Sequence, residues 1–108
     1  MKRFLLIITL IISFSALFAQ KGTIKGRVFD TKTNEPLEFA NIIIQGTTIG
    51  STSDLDGNFI FTGVNPGFVK LVVILIGYEM TVSPEIQVQG NQIAYMDIPV
   101  AESTKILT

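Results

Sequence analysis

At 108 residues the chain holds one domain at most, and it contains neither cysteine nor histidine. That excludes a disulfide framework, a zinc centre of the common kind, Ser-His-Asp or Cys-His catalysis and an imidazole general base. With Lys2 and Arg3 assigned to an export signal, six cations face nine acids in the remainder, a balance that speaks against nucleic acid as a partner.

Residues 1–19 read as a signal peptide. Lys2 and Arg3 form a positive start, Phe4 to Phe14 an apolar run, and Ser15 to Ala19 a cleavage region before Gln20. An uncleaved anchor is the alternative, although the apolar run is shorter than the roughly 20 residues a spanning helix needs. Export to the periplasm or to the periplasmic side of the outer membrane is expected. Contact with a membrane then comes only through this signal or an attached receptor. No cysteine follows to carry a lipid. Residues 20–100 are expected to form one β-sandwich, and 101–108, with no alternation and no turn signal, a tail or the start of a linker.

Thr23 to Asp30 alternates polar and apolar residues and predicts a first strand with Ile24 and Val28 inward. Gly26 shares that face, either for a close approach by a neighbour or as a bulge. Pro36 cannot donate to a ladder, Leu37 is expected to plug one end of the core, and Ala40 to Gln45 predicts a second strand ended by Gly46. Next comes Gly46 to Phe61. Asp54, Asp56, Gly57 and Asn58 bond their own backbone or tolerate positive φ, and they stand between a Thr/Ser-rich strand and the alternating Phe59 and Phe61. That pattern predicts a tight β-hairpin. Calcium is the other reading of Asp54 and Asp56 before a glycine, but aligning an EF-hand loop on Gly57 puts Thr52 and Gly63 where its first and last ligands belong. The turn role is preferred, and no metal or other cofactor is assigned.

Gly63 to Gly67 is a second turn signal, and Phe68 to Ile76 predicts the longest strand, apolar on both faces. If Lys70 faces water, Val72, Ile74 and Ile76 share its outer face. They make a candidate docking face unless a loop or the chain's own terminus covers them. Short extended pieces follow at Met80 to Ser83 and Ile86 to Val88. A last strand, Ile93 to Val100, is expected to turn Ala94, Met96, Ile98 and Val100 inward, with Pro99 marking an edge. The serines, lysines and carboxylates show no nucleophile-and-base spacing, so no catalytic residue is assigned and the chain reads as a non-enzyme. About seven short strands between Gly, Asn and Pro turns predict an all-β antiparallel Greek-key sandwich.

Several blocks together carry a family resemblance: Gly26-Arg27-Val28-Phe29-Asp30, Glu35-Pro36-Leu37, Ala40-Asn41-Ile42, Gly46 through Phe59, Leu71, and Ile76-Gly77-Tyr78. In that order they closely resemble the carboxypeptidase regulatory-like domain, a transthyretin-like sandwich. Behind a signal peptide in Bacteroidetes-type bacteria, such a domain resembles the N-terminal extension of TonB-dependent outer-membrane receptors. The resemblance implies a periplasmic interaction module ahead of an energy-coupling box, plug and barrel, with receptor or transport machinery as protein partner and no shared catalytic residues. The sequence departs from the family pattern at Ser53 and Ile74. A secreted domain binding glycan or a cell surface is the alternative, although only Tyr78 and Tyr95 offer polar-tipped rings for a sugar. An accessory domain of a secreted peptidase would need a catalytic partner on the same chain.

Overall fold

The computed structural model describes Arg3 and residues 20–103. The expected signal peptide and the end of the expected tail lie outside the described residues. Among the described residues ten strands follow in order: β1 (Gly22–Asp30), β2 (Asn41–Ile44), β3 (Gly50–Thr52), β4 (Asn58–Val64), β5 (Gly67–Val69), β6 (Leu71–Ile74), β7 (Thr81–Val82), β8 (Ile86–Val88), β9 (Ile93–Tyr95) and β10 (Ile98–Val100). Two sheets face each other. One has β1 at its centre, with β4 on one side and β9 and β10 along the other, while the second runs β3-β2-β6-β7 and a separate ribbon joins β5 to β8.

The nine residues of β1 organise the molecule. Alternation turns Ile24 and Val28 into the core, where both are fully buried, and across the antiparallel β1–β4 ladder the buried Phe61 faces Ile24 and the buried Phe59 faces Gly26. These two rings meet edge to face with centroids 6.0 Å apart. From the opposite sheet Ile42, Ile44, Leu71 and Val73 close over them, and Ile86, Val88, Ile98 and Val100 seal the remainder. Leu37 enters this core as expected. The pairings of β1 with β9 and β10 run parallel, whereas the other five ladders are antiparallel. Gly26 sits where a neighbour comes close, because an added Cβ would lie 1.9 Å from the Met96 carbonyl oxygen. The register shift in β1 falls between Gly22 and Ile24, so close approach, and not a bulge, explains this glycine.

Besides the last strand, expected over Ile93 to Val100 but divided into β9 and β10 at Met96 and Asp97, two expectations need correction. The Asp54–Asn58 segment is not the turn of a hairpin. Its flanking strands belong to opposite sheets, β3 pairing with β2 and β4 with β1, so the turn is an arch across the sandwich. The hairpin lies one turn earlier, between β2 and β3, where Gly46 takes a φ of 81°. A turn motif specifies a local reversal, and burial decides which sheet each arm joins. Ser53 anchors one arm: it is buried, its Oγ donates to the Leu37 carbonyl at 2.7 Å and accepts from Ala40 N–H at 2.9 Å, and its own carbonyl accepts from Phe39 N–H. Phe59 and Phe61 hold the other arm against β1.

The second correction concerns Phe68 to Ile76, which is not one strand. Val69 pairs with Ile86 in the ribbon, and Leu71 pairs with Ile44 in the second sheet. The chain changes sheets at Lys70, whose carbonyl accepts from Gln45 N–H. A buried serine marks this junction too, since Ser83 Oγ accepts from Leu71 N–H at 2.9 Å and donates to the Pro84 carbonyl.

Candidate functional site

The outer face of the β3-β2-β6-β7 sheet gathers apolar side chains on its solvent side. Ladder partners in an antiparallel sheet share a face, so the pairings Ile43 with Val72 and Val72 with Val82 form one apolar row across three strands. Ile74, opposite Asn41, stands in the next row and is 43 % exposed. Val72 and Ile43 are half-buried, whereas Val82 and Met80 are exposed. A hollow of about 300 Å³ lies between Ile43, Ile74 and the Thr48–Thr52 segment.

Of the three residues expected on this face, the structure places Val72 and Ile74 there together. Ile76 is elsewhere. It lies beyond β6 in the loop to β7 and is 98 % exposed, because β6 ends at Ile74 and the period-two extrapolation stops with it. Ile43 and Val82 were not assigned to this face from the sequence. Alternation on each strand could have suggested them, but only the ladder register brings them beside Val72.

The loop bearing Ile76 also meets the last described residues. Glu79 N–H donates to the Ala101 carbonyl and Ser103 N–H to the Gly77 carbonyl, each at 2.9 Å, and Tyr78 bridges to Glu102. Tyr78 fastens this loop to β1 by donating its hydroxyl to Asp30 Oδ2 at 2.9 Å, while Asp30 Oδ1 accepts from the backbone N–H groups of Lys32 and Thr33. These bonds favour the carboxylate. The Lys32 N–H is the largest cause holding Asp30 below its usual 3.8, followed by the Tyr78 hydroxyl, and the same carboxylate raises the Tyr78 phenol above 10.0.

The sign of the pH dependence follows. A lowered carboxylate contributes stability above its unfolded-state value, and that contribution is lost as pH falls through the folded value. Tyr78→Phe is expected to lower the Tm at pH 7 by roughly 4–8 °C, the effect of one lost charge-assisted bond in a small domain. In thermal scans the gap from wild type should narrow as pH falls past 3.8, where Asp30 is half protonated in the unfolded chain, and on down through its lower value in the folded one. A gap of unchanged size at acid pH would show that the hydroxyl acts through packing alone.

The expected turn residues hold the arch. Asp54 Oδ1 accepts from the N–H groups of Asp56 and Asn58, both at 2.9 Å, and Gly57 takes a φ of 76°. Asp56 and Asn58 are exposed and enter the turn through their backbones.

Comparison with known proteins places these features. Residues 24–108 match the CarboxypepD_reg-like domain model. The chain is 37 % identical over 90 residues to the TonB-dependent receptor SusC of Bacteroides thetaiotaomicron, a match covering 83 % of this chain and 9 % of the receptor. It thus spans about a tenth of that relative's length. Among solved structures, the Bacillus anthracis TIE protein superposes with a TM-score of 0.64 at 18 % identity, over 77 % of this chain and 17 % of that one. The group B streptococcus pilus 2b backbone protein gives 0.63 at 16 %, over 77 % and 42 %. At these identities the two structures share the β-sandwich fold.

Proposed function

The chain belongs to the CarboxypepD_reg-like domain family, and on that premise we propose that it is a non-enzymatic periplasmic interaction module of a TonB-dependent outer-membrane receptor. Its signal peptide directs export. Its partner is the periplasm-facing body of such a receptor, the plug and barrel.

The observation that carries this reading is the apolar row of Ile43, Val72 and Val82 with Ile74 beside it, on a sheet face that a two-layer sandwich ordinarily gives to polar groups. Two further facts support the choice of occupant. The similarity to SusC accounts for a tenth of that receptor, which leaves a large body for such a module to meet. The last described residues, Ala101 to Ser103, also bond to the Gly77–Glu79 segment that follows Ile76, so a receptor body meeting the apolar face would lie close to this end of the described chain.

The test is capture of receptors from a detergent extract of outer membranes by the immobilised chain, wild type against a Val72→Lys/Ile74→Lys variant, with captured polypeptides identified by mass spectrometry. Wild type should retain a TonB-dependent receptor and the variant should lose at least about tenfold of it, because two buried-on-binding aliphatic side chains become cations that resist desolvation. Equal capture by both proteins, or no receptor on either, would refute the face as the docking surface.

A further inference from the structure

On the other sheet the outer surface around β1 forms an open groove of about 610 Å³, within the range that ligand sites occupy, and Thr52 of β3 lines both this groove and the hollow beside Ile43 and Ile74. Two in-register rows build it. The first is Tyr95, Lys25 and Ile60, since Lys25 pairs with Tyr95 of β9 and with Ile60 of β4. The second is Asp97, Arg27 and Asn58, with Arg27 paired to Asn58 and Asp97 following from the parallel register that β9 and β10 share against β1. The rows lie about 7 Å apart along the strands, and each spans three strands at about 4.8 Å spacing.

The chemistry of the two rows differs. Tyr95, 71 % exposed, and Ile60 present apolar surface on either side of the Lys25 stem. The second row presents a carboxylate, a guanidinium and an amide. Arg27 is held in place, one of its terminal N–H groups donating to the Asn34 carbonyl at 2.9 Å and its guanidinium lying 5.4 Å from the centre of the Phe29 ring. Among the described residues, the side chains of Asp97 and Asn58 make no hydrogen bond that would occupy their polar atoms. Charge is balanced in the groove, with Lys25 and Arg27 set against Asp97 and Asp54, which disfavours a strongly anionic or cationic ligand.

We propose that this groove binds a neutral saccharide. A pyranose has a face of C–H groups and a rim of hydroxyls that both donate and accept. Its C–H face packs against Tyr95 and Ile60, while vicinal hydroxyls donate to Asp97 and the Asn58 carbonyl and accept from Arg27. An extended peptide would draw instead on the outer edge of β4, which no described strand covers.

The test is native affinity electrophoresis of the exported chain in gels containing laminarin, pullulan, a galactomannan or a soluble xylan. At least one should retard the wild type, and Tyr95→Ala should weaken that retardation about tenfold or more, with Asp97→Asn as a second variant that keeps the shape of the site. Val72→Lys/Ile74→Lys should migrate as wild type does, which separates this groove from the docking face. No retardation by any of the four glycans, retardation insensitive to Tyr95→Ala and Asp97→Asn, or an extended peptide displacing the glycan through β4 would overturn the proposal.

Discussion

Gly26→Ala is expected to destabilise the domain by about 3 kcal/mol or more, a severe outcome for a one-carbon change. The Cβ would stand 1.9 Å from the Met96 carbonyl oxygen and 2.6 Å from Phe59 Cζ. Neither neighbour can yield freely. Met96 N–H donates to the Lys25 carbonyl at 2.9 Å at the join of β9 and β10, and the Phe59 ring is locked against Phe61 in the core. Moving the Met96 peptide would break the parallel pairing that holds the last strand on β1. A Tm loss above about 10 °C should appear in a circular dichroism melt. Gly50→Ala is the matched control, since its Cβ meets nothing nearer than 3.5 Å, and it should leave the Tm almost unchanged. Similar melts for the two variants would contradict the close packing of β1 on Met96.

Gly57→Ala should cost about 3 kcal/mol, from two separable sources. One is the φ of 76°, worth about 1 kcal/mol for a residue with a Cβ. The other is steric: the Cβ would lie 2.5 Å from the Val28 carbonyl oxygen, which already accepts from Leu37 N–H. Gly63 has a comparable φ of 64° with open space around it. Gly63→Ala therefore measures the backbone cost alone, and urea unfolding should find it less damaging than Gly57→Ala by about 2 kcal/mol. Equal losses would mean that the arch does not pack on β1 as described.

What could be read from the sequence was whatever depended on neighbours along the chain. Alternation in residues 23–30 gave the inward set of β1, and Pro36 and Gly46 marked real breaks, whereas Gly63 lies within β4, which runs on to Val64. The chemistry of Asp54 was legible because a short carboxylate finds N–H groups two and four residues on. Sheet membership was not. The Asp54–Asn58 reversal has the same local geometry in a hairpin or an arch, and the choice rests on Ser53 bonding to Leu37 and Ala40 and on Phe59 packing under β1, both contacts distant in sequence. The split at Lys70 was hidden for a related reason, since an apolar run that feeds two buried faces in succession reads as one strand buried on both. Ile76 was misplaced by extending that strand's alternation past its end. Within the groove, Lys25, Asn58 and Tyr95 lie far apart in the chain, and only the antiparallel pairing of β4 and the parallel pairing of β9 on the two sides of β1 bring them together.

Docking through the β2-β6-β7 face is the proposal that family membership and the apolar row support. The most direct measurement places a photo-crosslinking amino acid at position 74 in cells that export the chain, with position 60 on the opposite sheet as the control. The account predicts a discrete adduct from position 74 containing a TonB-dependent receptor polypeptide, and none from position 60. Adducts to that receptor of equal yield from both positions, or from position 60 alone, would contradict it.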